Sequence, residues 1–293
     1  MLFQIPSPIQ EINLKTHNPN NIRLFIKRED LIHKIVSGNK WRKLKYNFEY
    51  LVNNKIDTIL SFGGAYSNHL HALSWLANLR NIKSIGIVRG YPSYRNNPTL
   101  SFCVKNKMEL QFLSRKVYRE SKFNNKVVNK LKKEHEKIFI IPEGGFNNFG
   151  IKGCEEIMNE VDGNFDTICC SIGSGCTAVG LIKSLKDHQN FLGFSSFKNS
   201  KLLEDVISKN TNSKINWKIN CDYNFGGFGK VNTDLIKFID SFAQLYKIEL
   251  DPVYTSKLFF GLFDMISKKK IKKESRILVI HTGGLQGLHG INK

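Results

Sequence analysis

The sequence predicts an α/β fold in which twisted, mostly parallel sheets are flanked by helices. Short apolar runs rich in Val, Ile and Phe alternate with longer amphipathic segments, and glycine-bearing loops follow several of the runs. The runs lack a strict apolar–polar alternation, which is typical of strands buried on both faces, and β-then-α order implies parallel pairing. A chain of 293 residues is long enough for one large or two modest domains.

Predicted strands and helices alternate along most of the chain. The strand-like runs are 23–29, 57–62, 82–88, 109–114, 137–142, 165–172, 190–196 and 276–282. The helix-like segments are 39–53, 67–80, 98–107, 121–136, 149–161, 176–186, 233–247 and 256–270. Sites in open α/β sheets gather where strands end and helices begin. We therefore expect the chemistry in the loops "SFGGAYSN", "PEGGFNN", "SIGSGCTAVG" and "HTGGLQG".

The chain is strongly basic, with a formal net charge of +19. The excess is mostly lysine, scattered through 27–55, 105–137, 183–218 and 267–273, and no RNP motif, zinc-finger spacing or arginine-rich arm accompanies it. A broad bias towards Lys and Asn is the favoured explanation, so we expect no nucleic-acid partner. A basic nucleic-acid-binding protein is the remote alternative, which a steep salt dependence of duplex DNA binding would reveal.

Cysteine usage and the N-terminal segment indicate the compartment. The 6 cysteines form no C-x-x-C pair and no disulfide-like framework, which favours reduced thiols. The start, "MLFQIPSPIQEI", lacks a basic region followed by an apolar one, so no signal peptide is visible. The most apolar helix, "KLFFGLFDMIS", is too short to span a bilayer. We expect a cytoplasmic protein that does not bind membranes.

The segment "FDTICCSIGSGCTAVGLIKSLK" predicts a strand, a glycine turn and a helix. Gly173, Ser174, Gly175, Cys176 and Thr177 would present successive backbone N–H groups at a helix N-terminus, which is an arrangement that binds phosphate. The glycines allow the backbone to approach the anion closely.

Two other interpretations of this loop stay open. Gly173, Gly175 and Ala178 satisfy the dinucleotide pattern G-x-G-x-x-A, but that pattern needs an acidic residue at the end of the next strand, and "NFLGFSSFKNSK" has none there. The turn could also bind nothing. A phosphate monoester is favoured over NAD, and NAD over an empty turn.

The segment "TILSFGGAYSNHLHALSWLANL" repeats the strand–glycine–helix design. Ser67 is a good N-cap residue in its own right, which is the simplest interpretation of it. His69 and His71 are two apart, so they point to different faces of a helix and make a poor metal pair; we expect surface or supporting histidines and no catalytic metal. The absence of a G-x-S-x-G elbow weakens a hydrolase interpretation.

Taken together, these motifs resemble one known family. The chain resembles the pyridoxal-phosphate enzymes of the 1-aminocyclopropane-1-carboxylate (ACC) deaminase and D-cysteine desulfhydrase family, whose fold is tryptophan synthase β-like. The resemblance covers nearly the whole chain, in the family's order, through "KREDL", "SGNKWRKL", "SFGGAYSNHLHAL", "PEGG", "SIGSGCTAVGL", "DPVYTSKLFFGL" and "HTGGLQG". It implies pyridoxal 5'-phosphate in a cleft between two α/β domains, a large one of 1–45 plus 151–293 and a small one of 46–150. It also implies a homodimer.

The resemblance assigns roles to individual residues. Lys40 matches the lysine that holds the cofactor as a Schiff base, and Asn68 would hydrogen-bond the cofactor's phenolic oxygen. Residues 173–177 would cradle its phosphate. Ser67 matches the family's catalytic or substrate-contacting serine and would hold the substrate carboxylate. Tyr254 would lie over the cofactor and assist proton or leaving-group transfer, with a packed aromatic as the alternative.

Three positions bear on the reaction within the family. Thr255 replaces the glutamate that deaminases place against the pyridine nitrogen, and Thr282, expected to contact substrate, replaces their usual leucine. Both changes resemble the desulfhydrases. The change at Thr255 also suits their chemistry, because β-elimination of a good leaving group needs a weaker electron sink than opening a cyclopropane does. Phe228 stands where relatives commonly have a second tyrosine. D-cysteine desulfhydrase, releasing pyruvate, ammonia and sulfide, is the favoured function, with ACC deaminase as the alternative.

Overall fold

A computed structural model describes residues 3–15, 17–123, 129–130, 133–134, 137–211 and 214–286. The strands are β1 (Ile9–Ile12), β2 (Arg23–Lys27), β3 (Thr58–Gly64), β4 (Lys83–Arg89), β5 (Glu109–Leu113), β6 (Ile138–Ile141), β7 (Thr167–Ile172), β8 (Asn190–Ser195), β9 (Asn216–Asn220) and β10 (Arg276–Ile280). The α-helices are α1 (Asn39–Asn53), α2 (Asn68–Leu79), α3 (Pro98–Lys105), α4 (Arg115–Phe123), α5 (Asn148–Asn159), α6 (Cys176–Ser184), α7 (Lys201–Asn210), α8 (Thr233–Tyr246) and α9 (Thr255–Ser267).

The strands form two sheets, as the sequence predicts for a tryptophan synthase β-like α/β protein. A six-stranded sheet has the order β1-β2-β10-β7-β8-β9, and a four-stranded sheet has the order β5-β4-β3-β6. Every pair in both sheets is parallel except β1 with β2. The connections between parallel strands therefore cross over the sheets, and most of them contain a helix.

Each sheet is buried on both faces, which explains why its central strands read as continuous apolar runs. Along β10, Leu278 and Ile280 pack into one hydrophobic cluster, whereas Ile277 and Val279 pack into the cluster on the opposite face. The four-stranded sheet has the same layered arrangement, with separate clusters on its two faces. These layers fix the direction in which the strand ends, and the loops after them, point.

The two strands that the sequence pattern missed, β1 and β9, are the edges of the six-stranded sheet. Their sequences, IQEI and NWKIN, mix polar with apolar residues and leave polar side chains exposed, so they do not form buried apolar runs. Helix α7 was also missed.

The helix expected over 121–136 begins earlier than predicted, because the structure starts α4 at Arg115. Parts of the predicted range, namely 124–128, 131–132 and 135–136, lie outside the described residues.

The four strands of the smaller sheet all come from within 58–141, and the six strands of the larger sheet come from the chain on either side of it. The boundaries 1–45 plus 151–293 and 46–150 are compatible with this distribution and stay a prediction. Within the described ranges, no helix has the length and apolar character needed to cross a membrane.

Candidate active site

Loops from both sheets meet at one place. A methyl group on Gly144, in the loop after β6, would lie 2.9 Å from Ser174 Oγ in the loop after β7. A methyl group on Gly284, after β10, would lie 2.5 Å from Asn68 Nδ2 at the start of α2. The glycine-bearing loops that the sequence singled out therefore lie close to one another, and the region between them is called the cleft below.

Helix α1 begins in this cleft because of a glycine turn. Gly38 has a φ of 59°, and a Cβ at this position would lie 2.0 Å from the carbonyl oxygen of Thr282. Only glycine fits both the left-handed backbone and this close approach. The Asn39 N–H then donates to the same carbonyl, at 3.4 Å. The loop after β10 thus sets the position of the first turn of α1.

Lys40 follows in that first turn, with its side chain half-buried. Its Nζ donates to Asn39 Oδ1 at 2.5 Å, and Asn39 Nδ2 donates to Thr177 Oγ1 at 3.0 Å. Burial, together with the positive charge of the buried Lys43, lowers the pKa of Lys40 to about 7. Much of the amine is therefore uncharged near neutral pH, as a lysine that forms a covalent bond with an aldehyde requires.

A network of buried charged side chains holds α1 in place through Arg42. Arg42 donates to Glu29 at 2.8 and 2.9 Å and to Glu160 at 2.6 and 2.7 Å. Lys27 Nζ lies 3.0 Å from the same Glu160 carboxylate. Since Arg42 is 1% exposed, its charge depends on these carboxylates for compensation. The network fixes the helix two residues beyond Lys40.

The loop between β7 and α6 has the features of a phosphate cradle. Gly175, the N-cap of α6, has a φ of 91°. The backbone N–H groups of Ser174, Gly175, Cys176 and Thr177 donate no hydrogen bond to any described residue. Ser174 Oγ is buried and has no partner among the described residues. These free donors at a helix N-terminus fit the phosphate of pyridoxal phosphate.

The start of α2 offers two further donors. Ser67 Oγ accepts the Leu70 N–H at 3.2 Å, so Ser67 is the N-cap of α2, and its hydroxyl donates to no described residue. Asn68 Oδ1 accepts a hydrogen bond from Gln286, while its Nδ2 donates to no described residue. An amide donor of this kind suits the cofactor's phenolic oxygen, and a free hydroxyl suits a carboxylate.

The sequence predicts surface or supporting histidines in α2, and the structure excludes the surface role. His69 and His71 are 2% and 8% exposed, because the buried face of α2 includes both positions. His69 Nε2 lies 2.9 Å from Ser61 Oγ. Burial, and then the charges of Lys40 and Lys43, lower the pKa of His69 to about 3, which keeps it neutral beside the lysine.

Tyr254 lies against the phosphate loop. A methyl group on Gly173 would be 3.2 Å from Tyr254 Oη. Burial and the negative charge of Asp251 raise the pKa of Tyr254, so the phenol keeps its proton at neutral pH. The hydroxyl is therefore available there as a proton donor.

Asp251 is a residue that the sequence interpretation missed. It is 2% exposed, and its carboxylate accepts the N–H groups of Val253, Tyr254 and Thr255 at 2.8 to 2.9 Å. Thr255 Oγ1 also donates to Asp251 Oδ2 at 2.7 Å and accepts the Asp251 N–H at 2.8 Å. An Asp-Pro pair just before a helix was the signal available in the sequence. Asp251 sets the start of α9 and orients Thr255.

The remaining predicted positions lie on two sides of the cleft. Thr282 is buried, with its Oγ1 3.2 Å from Ser171 Oγ. Phe228 is 46% exposed; its ring stacks on Phe197 at 5.3 Å and meets the Tyr254 ring edge-on at 5.9 Å. The structure therefore brings all the predicted site residues to the same group of loops, and their chemical roles are considered below.

Taken together, the fold and these groups fit an enzyme with a phosphate-bearing cofactor. Residues 1–283 match the family described as pyridoxal-phosphate dependent enzyme, and the chain belongs to this family. Pyridoxal 5'-phosphate is its cofactor.

Individual relatives carry two kinds of name. The chain is 30% identical to the mitochondrial bifunctional D-cysteine desulfhydrase/1-aminocyclopropane-1-carboxylate deaminase of Arabidopsis thaliana, over 98% of this chain and 78% of that protein. It is 25% identical to a D-cysteine desulfhydrase of Klebsiella pneumoniae, over 98% of this chain and 94% of that protein. A crystal structure of an ACC deaminase homologue matches with a TM-score of 0.83 and 25% identity, covering 98% of this chain and 92% of that one.

Proposed function

We propose that this chain is a pyridoxal-phosphate-dependent lyase that acts on a small amino acid, with D-cysteine as the substrate and pyruvate, ammonia and sulfide as the products. Bound pyridoxal phosphate would supply an electron sink for the carbanion formed at the substrate Cα. Lys40 would hold the cofactor covalently, and residues 173–177 would hold its phosphate. Asn68 would bind its phenolic oxygen.

The protein's own acid–base groups suit an elimination. Lys40, with its pKa lowered to about 7, is a base that is partly unprotonated at neutral pH and would take the proton from the substrate Cα. Tyr254, protonated because its pKa is raised, would give a proton to the departing sulfur. Ser67 would donate its free hydroxyl hydrogen to the substrate carboxylate, and the buried Thr282 would contact the substrate beside it.

The observation that favours the elimination of sulfide over the opening of ACC is the hydrogen bonding of Thr255. Its hydroxyl hydrogen is donated to Asp251, so towards the pyridine nitrogen it would present a neutral oxygen and not a carboxylate. A neutral contact leaves the ring a weaker electron sink than a glutamate would. Elimination of sulfide tolerates this, since sulfide is a good leaving group.

ACC deaminase is the second candidate, because a relative that is 30% identical is named for both activities. Phe228 argues against it: the ring meets Tyr254 edge-on but carries no hydroxyl with which to assist ring opening. A Phe228→Tyr variant should therefore gain activity on ACC if the missing hydroxyl is the limitation.

The test compares pyruvate release from D-cysteine, L-cysteine, D-serine and ACC under identical conditions. D-cysteine should turn over fastest, and the fastest turnover of ACC would refute the assignment based on Thr255. Purified protein should bind pyridoxal phosphate, and borohydride should fix it onto wild-type protein but not onto Lys40→Ala. A protein that takes up no cofactor would contradict the enzyme assignment itself.

The cytoplasmic location and the homodimer stay predictions. Sedimentation of the purified protein checks the second, since a single species of 33.6 kDa would contradict a dimer.

A further inference from the structure

Lys257 is a buried lysine that binds backbone carbonyls and no carboxylate. It lies in the first turn of α9, two residues after Thr255, and is 2% exposed. Its Nζ donates to the carbonyl oxygens of Asn224 at 2.8 Å and of Gly227 at 3.0 Å. In the part of the chain that the structure describes, it forms no salt bridge. Burial lowers the pKa of Lys257 to about 8, against the negative charge of Asp251, so the amine stays mostly protonated at neutral pH.

The two carbonyls belong to a segment between β9 and α8, residues 224–230, which we call the aromatic loop. Phe225 has a φ of 53°, and three glycines of the loop also have positive φ, namely Gly226, Gly227 and Gly229. A left-handed conformation is costly for phenylalanine and persists only where the surrounding contacts hold it. The aromatic loop therefore depends on its attachment to the rest of the protein.

Lys257 supplies the hydrogen bonds of that attachment. Over the described residues, the other hydrogen bonds of the aromatic loop join groups within 221–230. The Phe225 ring also meets Phe260 of α9 edge-on, with the ring centres 4.9 Å apart. Both contacts come from α9, so the loop is fastened to the helix that begins directly after Tyr254.

The aromatic loop reaches the site through Phe228. The Gly227 carbonyl that accepts from Lys257 is part of the peptide unit joining Gly227 to Phe228, so the lysine fixes the backbone where this ring begins. The Phe228 ring meets the Tyr254 ring edge-on at 5.9 Å. On its other side, Tyr254 lies against Gly173 of the phosphate loop. A continuous series of contacts therefore joins the Lys257 ammonium to the Tyr254 phenol.

We propose that Lys257 is a positioning residue for Tyr254: by holding the aromatic loop, it keeps the Phe228 ring against the phenol and the phenol directed at the leaving group. The assignment rests on the proposed function, in which Tyr254 gives a proton to the departing sulfur. In that step the Cβ–S bond breaks, its electron pair stays on sulfur, and the Tyr254 proton joins the sulfur. Hydrogen sulfide leaves, and solvent returns a proton to the tyrosinate.

The test compares two substrates whose leaving groups differ in their need for a proton. The sulfur of D-cysteine needs one, whereas the chlorine of β-chloro-D-alanine leaves as chloride with its electron pair. Lys257→Met, whose side chain is of similar length but has no donor, should lower kcat for D-cysteine about tenfold and keep kcat for β-chloro-D-alanine within about twofold of wild type. Lys257→Gln, which keeps an N–H donor, should lose less on D-cysteine than Lys257→Met.

Phe228→Ala provides a second, independent variant, because Phe228 is exposed and its replacement leaves the core intact. It should lower kcat for D-cysteine by a similar factor. If Lys257 acts through the aromatic loop, the double variant should lose no more than either single variant. Independent effects would instead multiply to about a hundredfold loss.

A measurement on cofactor-free protein follows the aromatic loop itself. Lys230 ends this loop and is exposed, so trypsin can cleave after it. Cleavage there should be about fivefold faster or more in Lys257→Met than in wild type, because the open loop is more populated. Lys237→Met is the matched control, since it removes an exposed lysine from α8, which packs against α9. It should match the wild type in cleavage and in both values of kcat.

Equal losses of kcat for the two substrates, multiplying losses in the double variant, or unchanged cleavage after Lys230 would overturn the assignment. Failure of the proposed function gives a different result, namely a wild-type protein that takes up no cofactor or releases pyruvate from neither substrate. The cleavage measurement needs no turnover, so it still reports whether Lys257 fastens the aromatic loop.

Discussion

Replacing Lys40 by methionine should stabilise the cofactor-free protein while abolishing its chemistry. The pKa of Lys40 is lowered from 10.5 to about 7 by burial and by Lys43, so the folded protein binds this proton less readily than the unfolded chain does. At neutral pH that difference corresponds to about 4 kcal/mol of stability lost through Lys40. A methionine side chain of similar length has no charge to bury.

The direction of the pH dependence follows from the same difference. Below about pH 7 the lysine is charged in both states and the full penalty applies; it shrinks as the pH rises from 7 towards 10.5, where the unfolded chain also loses the proton. The Lys40→Met variant should therefore gain much stability relative to the wild type at neutral pH and little at pH 10.

The assay is thermal unfolding of cofactor-free protein over this pH range, since bound cofactor would stabilise only the wild type. For a chain of this size, about 4 kcal/mol corresponds to a rise of about 8 °C at neutral pH. Lys105→Met, at an exposed lysine ending α3, is the control and should unfold with the wild type. A Lys40→Met protein that unfolds at or below the wild-type temperature, or whose difference does not change with pH, would refute the reasoning.

Three further predictions concern the supports of the site. Gly38→Ala should lose cofactor binding, as followed by absorbance, because its methyl group would lie 2.0 Å from a backbone carbonyl oxygen and its φ of 59° disfavours alanine. Asp251→Ala should destabilise the fold by about 1–3 kcal/mol in urea titration, since three buried or partly buried N–H groups lose their acceptor. Glu29→Gln should lower stability by about 3–5 kcal/mol because it leaves Arg42 undercompensated; Glu11→Gln, in an exposed ion pair, is the control and should leave the urea midpoint unchanged.

The central architecture could be predicted because it depends on local pattern. Strands such as β7 and β10 are buried on both faces, so their sequences are apolar over most of their length and easily recognised. The phosphate loop could be predicted for a similar reason: glycine spacing after a strand determines the backbone locally. The edge strands β1 and β9 were not predicted, because a strand exposed on one side has a sequence that mixes polar and apolar residues.

What could not be predicted depends on residues far apart in the chain. In the sequence, Arg42 is one of several cations in a basic stretch. What distinguishes it is its hydrogen bonding to Glu29 and Glu160, which folding brings next to it. His69 looks exposed in the sequence because its burial depends on how α2 packs. In the sequence, Asp251 resembles an ordinary helix-capping residue. In the structure it accepts a hydrogen bond from Thr255, which is the predicted cofactor contact.

The position of β10 has a consequence for how the protein is made. Residues 276–280 lie in the middle of the larger sheet, between β2 and β7, although they are synthesised after the other strands of the described residues. During synthesis on the ribosome, the smaller sheet is complete once residue 141 has emerged. In the larger sheet, the edges of β2 and β7 that pair with β10 stay unpaired until β10 has been made. A chain that stops before β10 would expose two apolar strand edges and be a substrate for chaperones and proteases, so the larger sheet that supports Lys40 is complete only after residue 280 has been synthesised.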